Sequence, residues 1–241
     1  MTDTLDEDIP KTPMEPIRVA RRSLVLSVVV CRGSIDKGEG NPEIEALPDR
    51  ILAWLTQLDL WDEVEPSEET ILRTPLGELE LKDVIRATWD VEGLAVLAWA
   101  LKQQEFPVHD QKVDPIDVAD SVWCLDEDAE DLIRTATLRV PTELHVCGEF
   151  LYAIHARLRD FIRHRDRKNF TRWVEKEWID ALGLDASSLI VDNDLAIDGK
   201  AISKVDYDRV QECANITLQR HKAINWLLGG DSLYSETYVY T

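Results

Sequence analysis

The chain has 241 residues, of which 44% are hydrophobic, and it carries a formal net charge of −20 at pH 7. This length and composition predict one globular domain with a substantial core. Such a negative charge repels nucleic acids and anionic lipid surfaces, and it favours either simple solubility or a basic protein partner. We therefore expect no nucleic-acid partner and no membrane partner.

The cysteines and the N-terminus indicate the compartment. The four cysteines are widely separated and include no Cys-x-x-Cys pair, so they predict reduced, mainly structural thiols rather than a zinc site or redox motif. The N-terminus lacks the basic-then-apolar order of a signal peptide. The sequence also contains no uncharged apolar segment of about 18 residues. We expect a cytoplasmic protein.

The chain divides into three parts by composition. Residues 1–15 are acidic and contain two prolines, which predicts a disordered tail. Residues 16–230 are expected to form a single compact helical domain. Residues 231–241 contain three tyrosines and form a C-terminal tail that either docks on the surface or stays loose.

Apolar residues recur at helical spacing through most of residues 16–230. In the first segment the valines would also suit a buried strand, and a helix is preferred because three arginines near its start share a polar side. The predicted helices cover residues 17–31, 47–58, 67–74, 81–102, 117–125, 141–167, 170–182 and 206–228.

Only one segment gives a firm β signal. Asp198-Gly199 separates two short alternating runs, which is typical of a two-residue hairpin turn because both central positions require positive φ. The predicted fold class is therefore mainly α, with a single compact multi-helix domain and a small β-hairpin near residues 194–202.

The stretch from residue 88 to residue 101 is apolar nearly all round a helix, yet it contains Glu92. An ionised carboxylate removed from water costs several kcal/mol unless it is paired. Glu92 is thus either half of a structural ion pair or a general acid or base with a raised pKa. The candidate structural partners are His155, Arg157 and Arg159.

A second feature is a local basic segment on the predicted helix 141–167. His155, Arg159, Arg163 and Arg167 recur every four residues beside an apolar stripe. Arginine supplies planar paired donors, so one interpretation is recognition of the phosphate or carboxylate of a small anion. The other interpretation is internal charge balance in an acidic protein, since surface ion pairs need no functional cause.

A third feature lies on the last predicted helix, where His221 points into an apolar face with Asn225 one turn later. These residues are either a ligand-binding or proton-transfer pair near Glu92 or a satisfied part of the core. His145 and Glu149 could supply two metal ligands, but no third ligand follows at motif spacing. We predict neither a metal site nor a cofactor.

Four blocks of the sequence resemble the family called domain of unknown function 4272. They are Arg21 to Arg32, the block Trp89-x-x-Glu92-Gly93-Leu94-x-x-Leu97-x-Trp99-Ala100-Leu101, the block His155-x-Arg157-Leu158-Arg159, and Arg220-His221-Lys222-Ala223-Ile224-Asn225-Trp226-Leu227. The resemblance spans about residues 17–228. It implies a mainly helical bacterial domain and brings no established activity or catalytic residues.

The sequence contains no nucleophile elbow, no phosphate-binding Gly-rich loop, no His-Glu-x-x-His motif and no nucleotide-binding fingerprint. We therefore predict an intracellular acidic binding or interaction protein, with a basic protein as the expected partner. The alternative is a small-ligand binder or an unfamiliar enzyme, with a cleft lined by Trp89 and Trp99. Its polar cluster would consist of Glu92, His155, Arg157, Arg159, His221 and Asn225.

Overall fold

The computed structural model describes residues 13–38, 40–174, 176–184 and 186–240. Most of the predicted acidic tail, residues 1–12, lies outside the described residues. The helices, in chain order, are α1 (Pro16–Ile35), α2 (Pro42–Glu45), α3 (Leu47–Gln57), α4 (Pro66–Arg73), α5 (Leu81–Ala100), α6 (Pro115–Ser121), α7 (Ala129–Thr135), α8 (Pro141–His164), α9 (Lys176–Leu182), α10 (Ala186–Leu189) and α11 (Tyr207–Leu227). The fold is mainly α, as predicted.

The core is a row of long helices in the order α1, α5, α11 and α8, in which α5 packs against α1 on one side and α11 on the other. Helix α5 is buried almost continuously from residue 90 to residue 101, which confirms that an all-round apolar helix is enclosed by others. The first predicted segment forms a helix, α1, rather than the buried strand that its valines would also suit. Its Arg22, which the sequence placed on a polar side, is fully buried and pairs with Glu68 of α4.

A small antiparallel sheet precedes α11 and consists of β1 (Ile190–Val191), β2 (Asp194–Ile197) and β3 (Lys200–Ala201). The predicted turn is confirmed, because Asp198 and Gly199 have φ values of 50° and 69° and link paired β2 and β3. A second two-residue turn at Asp192-Asn193, with φ values of 53° and 65°, joins β1 to β2 and was not predicted. Asp and Asn both tolerate this conformation, so the sequence did carry its signal.

Several predicted helix boundaries differ from the structure, including that of helix 117–125, which ends at Ser121, and two of them lie near the site. The predicted helix 170–182 is a 3-10 turn, Phe170–Arg172, followed by α9, and the backbone N–H groups of Phe170 and Thr171 donate to the carbonyl of Asn193. Helix α8 ends at His164 rather than at residue 167, because Arg165 adopts a left-handed conformation with φ of 60°. Arg167 therefore does not continue the predicted helical row of basic residues.

The end of the chain is docked on the helices. Tyr234 is 1% exposed and its ring meets the ring of Trp226 edge-on, with centroids 5.9 Å apart. Among the described residues, no helix combines the length and the apolar character needed to cross a membrane.

Candidate functional site

His155 of α8 and His221 of α11 form a buried pair between the two helices. Each is 3% exposed, their Nδ1 atoms are 3.3 Å apart, and the two rings are nearly perpendicular. Burial lowers the pKa of both imidazoles to about 4, helped by Arg159 at His155 and by His155 at His221. Both rings are therefore neutral near pH 7, and one Nδ1–H donates to the other Nδ1.

His221 also faces an open cleft with a volume of about 560 Å³. Helix α8 supplies the face on which His145, Glu149 and Tyr152 follow one another at helical spacing. Helix α11 supplies His221 and Asn225. The aromatic residues that line the cleft are Tyr152, Trp173, Trp178 and Tyr240. We call this cavity the aromatic cleft.

The aromatic rings leave large faces open to solvent. Tyr152 is 50% exposed, Trp173 is 46% exposed and Tyr240 is 73% exposed. The remaining ring, Trp178, is buried and donates from Nε1 to Oε2 of Glu149 at 3.4 Å. Glu149 thus accepts a hydrogen bond from the uncharged indole of Trp178, and its carboxylate is the acidic group of the described lining.

Glu92 does not meet the predicted partners. Its Oε2 accepts hydrogen bonds from Nε and Nη2 of Arg220 at 2.9 and 2.7 Å, and its Oε1 accepts from the backbone N–H of Val113 at 3.2 Å. The prediction that Glu92 pairs with His155, Arg157 or Arg159 is wrong. Arg220 precedes His221 in α11, and neighbouring helical residues point in different directions, so Glu92 lies away from the imidazole pair.

Arg157 has a separate structural partner. Its Nε and Nη2 bind Oδ1 and Oδ2 of Asp194, both at 2.7 Å, and its Nη2 also donates to the carbonyl oxygen of Asp166. The guanidinium is 1% exposed and joins α8 to β2. Arg159 lies half a turn further along α8, is partly exposed, and raises the local positive potential at His155.

The predicted cleft lining of Trp89 and Trp99 is not observed. Trp99 is 1% exposed and packs edge-on against Phe106 in the core. Trp89 is half-buried beside Lys112, whose Nζ lies 4.6 Å from the ring centroid, and it borders a separate cavity of about 250 Å³ near Glu92.

The predicted polar residues therefore do not form one cluster. Glu92 belongs to the Arg220 pair and Arg157 belongs to the Asp194 pair. His221 and Asn225 line the aromatic cleft, His155 contacts His221, and Arg159 is partly exposed on α8. His145 and Glu149, whose spacing could supply two metal ligands, both line the cleft. Among the described residues, no three His, Cys, Asp or Glu side chains are grouped to hold a metal ion.

Sequence reasoning missed the aromatic rings of the cleft. Tyr152 had a usable signal, because it follows His145 and Glu149 on one face of the predicted long helix. Trp173, Trp178 and Tyr240 had none, since Trp173 follows a 3-10 turn, Trp178 lies on the short helix α9 and Tyr240 lies among the C-terminal residues, so none shares a helix with a predicted site residue.

A family model described as Domain of unknown function (DUF4272) matches residues 5–169. The chain belongs to this family. The match includes helices α1 to α8, and with them Glu149, Tyr152 and His155 of the cleft region. His221, Asn225 and Tyr240 lie beyond it, as does the Arg220 to Leu227 block on which the resemblance was also based. No curated protein and no solved structure matches the chain.

Proposed function

We propose that this protein is a binding protein for a basic protein partner, and that an arginine or lysine side chain of the partner enters the aromatic cleft. The observation that supports this proposal is the composition of the cleft. Four aromatic rings and one carboxylate, Glu149, line the cleft, and the imidazole of His221 in the same lining is neutral near pH 7.

Aromatic faces attract cations through the ring quadrupole, with about 0.5 to 1 kcal/mol at exposed sites and more when water is excluded. The described lining contains no lysine or arginine that would repel a cation. An anionic ligand would instead be repelled by the carboxylate of Glu149, and the described lining offers it no permanent positive charge. The cleft therefore favours a basic group over the phosphate or carboxylate for which the local basic segment of residues 141–167 was one interpretation.

The net charge of −20 acts at longer range. It raises the rate at which a basic partner encounters the protein, and this effect weakens with salt because exposed charges are screened beyond about 8 Å at physiological ionic strength. We further propose that the interaction takes place in the cytoplasm. The four cysteines are free thiols, which suits a reducing compartment.

Titration with Nα-acetyl-arginine amide tests the proposal, with the tryptophan fluorescence of the cleft as the readout. Nα-acetyl-citrulline amide is the matched probe, because it has nearly the same shape and no charge. We expect the arginine probe to bind at least about threefold more tightly, from one exposed cation–π contact. Equal binding of the two probes contradicts the proposal.

Variants locate the binding in the cleft. Trp173→Ala and Glu149→Gln should each weaken the arginine probe by about threefold to tenfold. Glu78→Gln is the control for Glu149→Gln, because it removes the same charge from an exposed position outside the cleft lining. If both glutamine variants weaken binding equally, the effect comes from net charge and the cleft is not the site.

A second candidate function is supported by the 3.3 Å contact between His155 and His221. In this alternative, His221 removes a proton from a small ligand in the cleft and passes its own Nδ1 proton to His155. A general base works best when its pKa lies near the working pH. A measured pKa between about 6 and 7 for the pair would favour this enzyme over the binding protein, whereas a pKa near 4 opposes it.

A further inference from the structure

The C-terminal residues are anchored by one buried tyrosine. The ring of Tyr234 contacts two cations, with Cζ of Arg22 at 5.2 Å and Nζ of Lys222 at 4.6 Å from its centroid. Trp226 closes another side of the ring. A fully buried ring with two cation–π contacts is a strong attachment for a segment without regular secondary structure.

The backbone beside this ring is also held. The carboxylate of Glu65, just before α4, accepts from the backbone N–H groups of Tyr234 and Ser235, one on each oxygen. Glu65 is 5% exposed, so these charge-assisted hydrogen bonds are shielded from water. They fix the direction in which the chain leaves the anchor.

Helix α5 leaves room for the anchor at Gly93. A Cβ atom at this position would lie 2.0 Å from the hydroxyl oxygen of Tyr234, which is closer than any real contact. Gly93 is therefore needed for Tyr234 to sit against α5. The socket for the C-terminal tyrosine is thus part of the central helix of the fold.

From the anchor, the chain runs to the aromatic cleft. The side-chain amide of Asn225, which lines the cleft, donates to the carbonyl oxygen of Tyr238 at 3.3 Å. The backbone N–H of Tyr238 donates to Asp231, which closes the segment on itself. The rings of Tyr238 and Tyr240 are 4.2 Å apart, and Tyr240 lines the cleft.

We infer that residues 231–240 form a strap that is anchored by Tyr234 and supplies one wall of the ligand site, with Tyr240 in contact with the bound cation. This inference rests on the proposed function, because it assigns Tyr240 to the same cleft. Tyr234 is a positioning residue, since it touches no ligand and acts by holding the strap in place.

Two variants and two measurements test the strap. Tyr240→Ala should weaken the binding of Nα-acetyl-arginine amide by about threefold, the effect of one exposed cation–π contact, and should leave amide hydrogen exchange at residues 234 and 235 unchanged. Tyr234→Ala should weaken the same binding at least as much and speed amide exchange at residues 235–240 by about tenfold or more. Tyr207→Ala, outside the cleft lining, is the control and should alter neither quantity.

Three results would overturn the inference or separate it from the proposed function. Unchanged exchange at residues 235–240 in Tyr234→Ala overturns the anchor, and unchanged affinity in Tyr240→Ala overturns the wall.

If the unmodified protein does not bind the arginine probe, the proposed function fails. The position of Tyr240 beside the cleft is then tested by acrylamide quenching of the fluorescence of Trp173. The contribution of Trp173 is the difference between proteins with and without the substitution Trp173→Phe. Increased quenching in Tyr240→Ala supports the strap, and equal quenching overturns it.

Discussion

A single carboxylate oxygen of Glu92, Oε2, accepts two hydrogen bonds from the guanidinium of Arg220, and both side chains are about 1% exposed. The same guanidinium donates to the carbonyl oxygens of Val108 and Gln111 at 2.6 and 2.7 Å. The pair therefore joins α5, α11 and the loop after α5. This buried ion pair is structural, because it connects elements that are distant in the sequence.

Glu92→Gln should destabilise the protein by about 3 to 5 kcal/mol, because it leaves the charge of Arg220 buried without its counter-ion. Urea unfolding monitored by circular dichroism measures the change in the free energy of unfolding. Glu78→Gln at an exposed position is the control. The double variant Glu92→Leu with Arg220→Met should recover only part of the loss, since neither charge is then buried but the carbonyl oxygens of Val108 and Gln111 lose their donor. A change below about 0.5 kcal/mol for Glu92→Gln would contradict the structural role.

Asp90→Asn should stabilise the protein above pH 6 by up to about 3 kcal/mol and have little effect near pH 3.5. Burial raises the pKa of Asp90 from 3.8 to about 6, with Lys222 opposing the rise. The folded state therefore binds the proton more tightly, and the stability that this provides is lost as the pH rises through about 6. Urea unfolding at several pH values measures the effect.

Asp120→Asn provides the comparison for Asp90, since Asp120 is exposed on α6. It should give a similar small change in the free energy of unfolding at every pH. An Asp90→Asn profile parallel to that of Asp120→Asn would show that Asp90 titrates like an exposed carboxyl group.

The imidazole signals of His155 and His221 should not move between pH 7.5 and pH 5.5 in proton NMR spectra, and they should titrate near pH 4. Because these pKa values lie below 6.5, the unfolded chain takes up protons first. The contribution of the pair to stability is complete above about pH 6.5 and is lost as the pH falls through about 4. His155→Phe and His221→Phe assign the two signals, and midpoints near 6.5 would refute the buried, neutral pair.

Tyr234→Phe should leave the free energy of unfolding unchanged or raise it by up to about 1 kcal/mol. The hydroxyl of Tyr234 is buried without a hydrogen-bond partner among the described residues, so its removal loses no bond. Gly93→Ala should cost about 1 to 3 kcal/mol in the tyrosine background, because its Cβ would overlap this hydroxyl.

The cost of Gly93→Ala should be smaller when Tyr234 is phenylalanine. A double-mutant cycle by thermal unfolding isolates this coupling from the helix preference of alanine, which is common to both backgrounds. Equal costs in the two backgrounds would mean that Tyr234 does not pack on Gly93.

Local sequence signals predicted the helices well and the irregular segments poorly. The glycine after α11 has φ of 85° and ends that helix as expected, because glycine adopts this conformation without strain. In contrast, residues 170–182 have helical periodicity, yet Phe170 and Thr171 give their N–H groups to Asn193. A hydrogen bond to a distant turn cannot be read from periodicity.

The candidate site was predicted in part. His221 and Asn225 are one turn apart on α11 and both line the cleft, as the spacing indicated for a common face. The second histidine of the pair, His155, was identified, but its place beside His221 was assigned only within a larger cluster around Glu92. Arg220, which pairs with Glu92 instead, lies in the same sequence block as His221 and is not among the predicted partners.

The sequence by itself determined that α5 is enclosed, that Glu92 needs a partner, and that Asp198-Gly199 turns a hairpin, because burial patterns and backbone preferences act on neighbouring residues. Only the tertiary structure decided that the partner is Arg220, that two imidazoles meet, and that Tyr234 packs against Gly93. Each of these contacts joins residues more than 60 positions apart, and helix periodicity fixes the direction of a side chain but not the helix that it faces.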